Sequence, residues 1–357
     1  MQSTSSSAIP ILQRWIAGHH TTAAEQQQLL AEELAAPQQA KALGITPANS
    51  SSQIEQRSRL FQAVYPEVAQ LCQRLGIEQS DRILITLWRL WLPLAMQIAS
   101  QRQKLERPLV QGILGLQGTG KTTLAAVIRL ILEHLGYRPL SFSIDDLYKT
   151  YSERKRLQEN DPRFLWRGPP GSHDVDLGVQ LFEQVRNSQS PIDVPRFDKS
   201  AFGGAGERTE PERVDEVDIV LFEGWFVGVR PIDERAFDNP PPPISTQEDR
   251  SFAQEINRRL RDYLPLWEGL DRLMVLSPVE YRLSQQWRRE AEQNVIASGK
   301  SGMSDAEVNQ FVEYFWRSLH PELFITPLIN NPSLVELVIE IHPDRSAGAI
   351  YKPGNRA

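Results

Sequence analysis

Apolar residues recur at a spacing near 3.6 over residues 55–75 and 82–99, and residues 24–34 are rich in Ala, Glu, Gln and Leu, so all three stretches predict helices. A polar linker is expected at 46–53. The texture changes at Pro108. A short β-rich run, 109–114, meets a Gly-rich turn and then a helical pattern, 121–135, closed by Gly136. Further strands are predicted at 139–144, ending in Asp145-Asp146, at 217–222, ending in Glu223-Gly224, at 272–276, ending in Ser277-Pro278, and at 334–341. Helical patterns follow at 175–185, 252–264 and 279–298, and the Pro-rich segment 239–246 predicts a surface loop. Strands alternating with helices imply an α/β fold with a mostly parallel sheet and right-handed crossovers. Ligands of such a sheet bind beyond the carboxyl ends of its strands. The expected division is a helical N-terminal region, 1–107, and an α/β region, 108–357.

Composition narrows this reading. The chain has 357 residues, ample for a large α/β unit with a helical appendage, and a net charge of −6 that argues against a nucleic-acid or anionic-membrane surface. An anionic ligand therefore needs locally clustered Arg and Lys. Cys72 is the only cysteine, which excludes an internal disulfide and a Cys-rich metal site and fits a reducing compartment. The most apolar stretch, 83–99, contains Arg89, Pro93 and Gln97 and predicts a buried core helix. The N-terminus lacks the features of a secretion signal, so a cytoplasmic location is expected.

The chemistry begins at Gly115-Leu116-Gln117-Gly118-Thr119-Gly120-Lys121-Thr122, which fits G-x-x-x-x-G-K-[ST]. Glycines let backbone N–H groups curl around phosphates at a helix N-terminus, Lys121 reaches the β/γ-phosphates, and the Thr122 hydroxyl serves Mg2+. The pattern arises by chance in about 1% of chains this long, before strand and helix flanks are required, so a ligand-free glycine turn is a poor account of it. The expected nucleotide contacts are Gly115, Gln117, Gly118, Thr119, Gly120, Lys121, Thr122 and Thr123, with ATP and Mg2+ as the bound species.

Phosphoryl transfer to an alcohol also needs a carboxylate to accept the hydroxyl proton. In the 2-3-1-4-5 strand order typical of P-loop kinases, the second and third strands aim their ends at the γ-phosphate. That makes Asp145 the expected base and Glu223 the expected magnesium carboxylate. Asp146 reads either as a water-mediated metal partner or as the N-cap of a helix starting near Leu147. Two basic, Gly-containing loops remain, 167–174 (RGPPGSHD) and 195–208 (PRFDKSAFGGAGER). They suit a grip on a small carboxylate, or else are solvated turns. Asp174 also reads as a helix cap. Arg288 and Arg289 read as a phosphate lid or as a solvated helix face, and Tyr314, Phe315 and Trp316 as packing.

Taken together, the phosphate loop, Ser143-Ile144-Asp145-Asp146-Leu147-Tyr148, Pro195 with Asp198 and Arg208, and Phe222-Glu223-Gly224-Trp225 resemble the phosphoribulokinase, uridine kinase and pantothenate kinase superfamily. RGPPGSHD, PRFDKSAFGGAGER, LFEGWFVGVRP and HPELF resemble, more narrowly, plant-type D-glycerate 3-kinase. The resemblance implies a P-loop kinase core with a five-stranded sheet and a reaction of D-glycerate with ATP giving 3-phosphoglycerate and ADP, the salvage step of photorespiration. It implies Asp145 as base, Lys121 and Glu223 in catalysis, Thr122 and Glu223 at the metal, and Arg167, His173, Arg196 and Lys199 on the substrate. Leu147 and Ser172 depart from the common Phe and Thr. By superfamily analogy, the segment 342–350 is expected near the adenine. A pantothenate- or sugar-type kinase and a P-loop nucleotide switch are the competing readings. Against the switch, no Asn-Lys-x-Asp guanine motif or LSGGQ-like sequence is present.

Overall fold

The computed structural model describes residues 8–354 apart from 78, 79, 298 and 300. Its centre is a six-stranded sheet of β1 (Leu109–Gly115), β2 (Pro139–Ser143), β3 (Ile219–Gly224), β4 (Arg272–Pro278), β5 (Leu337–Ile341) and β6 (Ala347–Tyr351). The spatial order is β2-β3-β1-β4-β5-β6. The first five strands run parallel in the expected 2-3-1-4-5 order. The sixth pairs antiparallel with β5, an addition that segment 342–350 did not reveal because its apolar run is short. Register places Glu223 beside Ser143 on β2 and Ile113 on β1, so the ends of the two carboxylate-bearing strands lie next to each other.

Both faces of the sheet are covered, as a parallel sheet requires. Along β1 every residue is buried and successive side chains serve opposite cores. Leu109 and Ile113 join one core, and Val110 and Leu114 the other. The first core is shared with the N-terminal helices α1 (Ala8–Ile16), α2 (Ala23–Leu34), α3 (Pro37–Ala42), α4 (Ser50–Arg74), α5 (Ser80–Thr86) and α6 (Leu92–Lys104), and with α7 (Lys121–His134). The second lies under α9 (Val175–Arg186), α10 (Gln247–Arg259), α11 (Leu264–Glu268), α13 (Asp305–Ser318) and α14 (Pro321–Ile329). Helices α8 (Tyr151–Asn160) and α12 (Leu283–Ala297) flank the carboxyl ends of the strands.

The apolar stretch in the N-terminal region is core. Asp81–Lys104 is long and apolar enough to cross a membrane, yet 72% of its most apolar window is buried within the fold. Pro93 lacks the N–H that an α-helix needs there, and a π-helical turn, Leu87–Trp91, precedes α6 at that point. Part of the expected 46–53 linker is instead the start of α4. Helix α2 is tied to α4 by the Glu33–Arg57 ion pair, with the Arg57 guanidinium also 5.1 Å over the Trp88 ring. The 279–298 helix begins at Leu283, and its expected last residue, Ser298, lies outside the described residues.

Candidate active site

Between β1 and α7 the chain turns through two glycines with left-handed φ, Gly118 (+80°) and Gly120 (+86°). A Cβ on Gly118 would lie 2.5 Å from Trp287 Cβ, and one on Gly115 would lie 2.5 Å from Thr119 Oγ1. A side chain is therefore excluded at Gly118 by both φ and space, disfavoured at Gly120 by φ and crowded out at Gly115 by space. The Thr119 hydroxyl donates to Leu116 O at 2.8 Å, closing the loop on itself. Trp287, on α12, donates from Nε1 to Pro343 O at 2.9 Å and is almost fully buried, so it buttresses Gly118 from behind. Sequence reasoning missed it, since 169 residues separate the pair and nothing local marks the contact.

The loop faces a cleft of about 1070 Å³. Gln117, Lys121 and Thr122 form its floor, with Asp145, Tyr148 and Glu223 beside them. The Thr122 hydroxyl donates to Glu223 Oε1 at 3.0 Å. One hydroxyl and one carboxylate so close together fit a small hard cation that takes its remaining ligands from phosphate and water. Among the described residues no cluster of three or more His, Cys, Asp or Glu side chains forms an all-protein cage.

Asp145 follows β2 in a short 3-10 turn, Ile144–Leu147. Tyr148 O–H donates to Asp145 Oδ1 at 2.9 Å and Lys199 Nζ to Oδ2 at 2.6 Å. Burial pushes the Asp145 carboxyl up, but the charge and hydrogen bond of Lys199, then the Tyr148 hydroxyl, outweigh it and hold the group below the ordinary aspartate range. Asp146 moves the other way, because its burial outweighs the Ser143 N–H and Arg196. The two neighbouring carboxyls are thereby separated in acidity. Asp146 does not cap a helix near Leu147: it accepts from Ser143 N at 3.0 Å in a capping box, and α8 starts instead at Tyr151 under Thr150.

The basic loops are ordered by packing. Gly168 lies under the Phe315 ring and Gly171 against Arg259, each too close for a Cβ, and Gly206 meets the Phe197 ring in the same way. The second loop closes as two small antiparallel pairs, Ile192–Val194 with Glu212–Val214 and Phe197–Asp198 with Glu207–Arg208. Gly168, Gly171 and Gly206 thus have packing roles, so these loops are not merely solvated turns.

Of the four residues expected on the substrate, Arg167 and Lys199 line the cleft. Arg167 donates to Gly204 O at 2.6 Å and lies over the Tyr148 and Phe197 rings. The other two do not line it. His173 is buried behind Tyr148, stacked at 4.6 Å, with Nδ1 2.8 Å from the Tyr263 hydroxyl, and burial pushes its pKa down to about 3. Arg196 pairs with Asp146 at 3.2 Å and Glu212 at 2.6 Å. Arg208 likewise ties Asp174, the cap of α9, to the Tyr148 carbonyl.

Cleft residues to which the sequence assigned no role include Tyr148, Tyr151 and Arg154. The Arg154 guanidinium donates to Ala205 O and Gly206 O, each at 2.6 Å, alongside Arg167. Arg288 also lines the cleft, paired with Glu292 at 2.5 Å and over the Phe311 ring, whereas Arg289 bonds Asn309. Tyr314 and Trp316 are packed in the core as expected, but Phe315 forms part of the cleft wall.

No family-wide sequence profile matches the chain. An uncharacterized kinase of Schizosaccharomyces pombe, mug58, is 32% identical over 247 residues, covering 66% of this chain and 88% of the relative. The chain belongs to the P-loop kinases. The D-glycerate 3-kinase of Arabidopsis thaliana is 28% identical over 85% of this chain and 69% of its own length. The D-glycerate 3-kinase structure from Cryptococcus neoformans superposes with a TM-score of 0.66 at 27% identity, covering 74% of this chain and 99% of that one. Pantothenate kinase of Bacillus subtilis is 27% identical over 46% of this kinase, in line with the wider superfamily.

Proposed function

We propose that this kinase transfers the γ-phosphoryl group of ATP to the 3-hydroxyl of D-glycerate. The observation that carries the reading is the meeting, in one cleft, of a phosphate loop, a hydroxyl–carboxylate pair, a lysine-paired aspartate and a wall of cations. Lys121 and the amides of the loop hold the β- and γ-phosphates at the start of α7, where the helix dipole favours negative charge. Thr122 and Glu223 would hold Mg2+, which when bound neutralises charge on the β- and γ-phosphate oxygens. Asp145 accepts the proton of the attacking hydroxyl, from the turn that follows β2 beside the β3 strand that carries Glu223.

A small acid brings its own carboxylate, and Lys199 and Arg167, with Arg154 alongside, are the cations that face it across the cleft. His173 and Arg196 act as positioning residues: His173 supports the Tyr148 ring whose hydroxyl orients Asp145, and Arg196 fixes Asp146. In this reading the enzyme salvages glycerate, as in photorespiration. The single, buried Cys72 supports action in a reducing cytoplasm.

An ADP-release assay with D-glycerate, L-glycerate, pantothenate, uridine and ribulose 5-phosphate tests the proposal. Stimulation by D-glycerate with 3-phosphoglycerate as product is expected. A 2-phosphoglycerate product overturns the assigned hydroxyl, preference for another acceptor overturns the substrate, and stimulation by none favours a nucleotide switch.

A further inference from the structure

The phosphate loop has a second side. Lys121 and Thr122 face the catalytic cleft, whereas Thr119, Gly120, Thr123 and Leu124 line a separate cleft of about 290 Å³. Residues two apart on a helix point about 200° from one another, so Thr122 and Leu124 must serve opposite sides of α7. A triphosphate held by this loop with its γ end towards Asp145 would direct its α end towards the second cleft, which the other side of the loop lines.

The second cleft has the character of a site for a flat, largely apolar ring. Ile83, Leu90, Trp91 and Leu276 supply apolar wall, and Arg82, Thr86 and Asp344 supply a few polar groups. Much of that wall comes from α5 and the following π-helical turn, which belong to the N-terminal helices. Arg82 donates to the Asp344 carbonyl, binding α5 to the turn between β5 and β6 across the cleft mouth.

We propose that α5 and the Leu87–Trp91 turn form one wall of the nucleotide-base site, so that the N-terminal helices select the base. This rests on the kinase reading above. It gives the N-terminal helices a task beyond covering the sheet. Thr86 faces the cleft from α5, and Arg82 closes its rim.

Calorimetry on the full chain with Mg-ATP and with magnesium tripolyphosphate, which has phosphates but no base, tests the proposal. Thr86→Trp fills the cleft and is expected to raise the Kd for Mg-ATP by about tenfold or more, with the Kd for tripolyphosphate unchanged. A folded Thr86→Trp protein with wild-type ATP affinity, or with equal losses for both ligands, overturns it. Arg82→Ala, at the partly exposed rim, is the second variant. It is expected to weaken ATP and not tripolyphosphate, and wild-type ATP affinity there counts against the proposal even if Thr86→Trp fails to fold. Failure of the underlying kinase reading shows differently: the unaltered protein then binds neither ligand.

Discussion

Lys199 Nζ lies 2.6 Å from Asp145 Oδ2, so the aspartate proposed as base is ion-paired before any substrate arrives. The pair does two things. It lowers the proton affinity of Asp145, and it positions a cation that an incoming carboxylate can share. Because the Asp145 pKa is depressed, the ionised form is present at all pH values above the ordinary aspartate range and is lost only as pH falls through the lowered value.

Removing the cation should therefore move the acid limb of the kcat/KM profile. In Lys199→Met, burial acts on Asp145 with its main counterweight gone, so the limb is expected to shift to higher pH, together with a raised KM for the acid substrate. A pH–rate series on the two proteins checks this. An acid limb that stays in place removes Lys199 from control of the base.

The Thr122–Glu223 contact predicts a metal effect. Glu223→Gln should raise the magnesium concentration giving half-maximal turnover by about 10- to 100-fold, with the acceptor KM little changed. A magnesium titration of initial rates reads it, and an unaltered magnesium requirement excludes Glu223 from holding the ion.

Trp287 fills the space that a side chain on Gly118 would need. Trp287→Ala is expected to cost about 3–5 kcal/mol of stability through the cavity it leaves, and to weaken Mg-ATP binding because the loop loses its support. Urea unfolding and calorimetry measure the two effects. Full ATP affinity in the folded variant shows that the loop holds its shape without Trp287.

Two buried histidines make stability depend on pH. Burial pushes His173 down to about 3 and His320 to about 4. His320 accepts from Glu322 N through Nδ1, and its Nε2–H donates to Pro242 O, so a second proton has no acceptor to meet. The unfolded chain takes up protons below about pH 6.5 while the native state does not, so stability falls as pH drops from there towards the native values. Between pH 7 and 5 each histidine should remove roughly 2 kcal/mol. Denaturant titrations at the two pH values check this, and His173→Gln should flatten the slope. An identical slope in that variant places the effect elsewhere.

Placement that depends on a short contiguous run was legible in the sequence. The strand–loop–helix around Gly115–Thr122, Asp145 after β2 and Glu223 at the end of β3 lie where the pattern predicts. Less was legible where partners come from far along the chain. The resemblance placed His173 and Arg196 on the substrate, although a lone histidine such as His173 is usually structural, and neither its burial nor the pairing of Arg196 was visible in the sequence. The partners that redirect them, Tyr263 for His173 and Asp146 with Glu212 for Arg196, lie 90, 50 and 16 residues away. Arg154 was passed over for the converse reason: it sits in a polar helix, and only the fold turns it towards the carbonyls of Ala205 and Gly206.

The most direct test of the account is 31P NMR of Mg-ATP and D-glycerate with the native protein and with Asp145→Asn. The native protein should convert γ-phosphate into 3-phosphoglycerate in step with ADP. The variant should bind Mg-ATP normally yet turn over about 10²- to 10⁴-fold more slowly. No glycerate-dependent loss of γ-phosphate, or undiminished turnover in Asp145→Asn, would contradict the account.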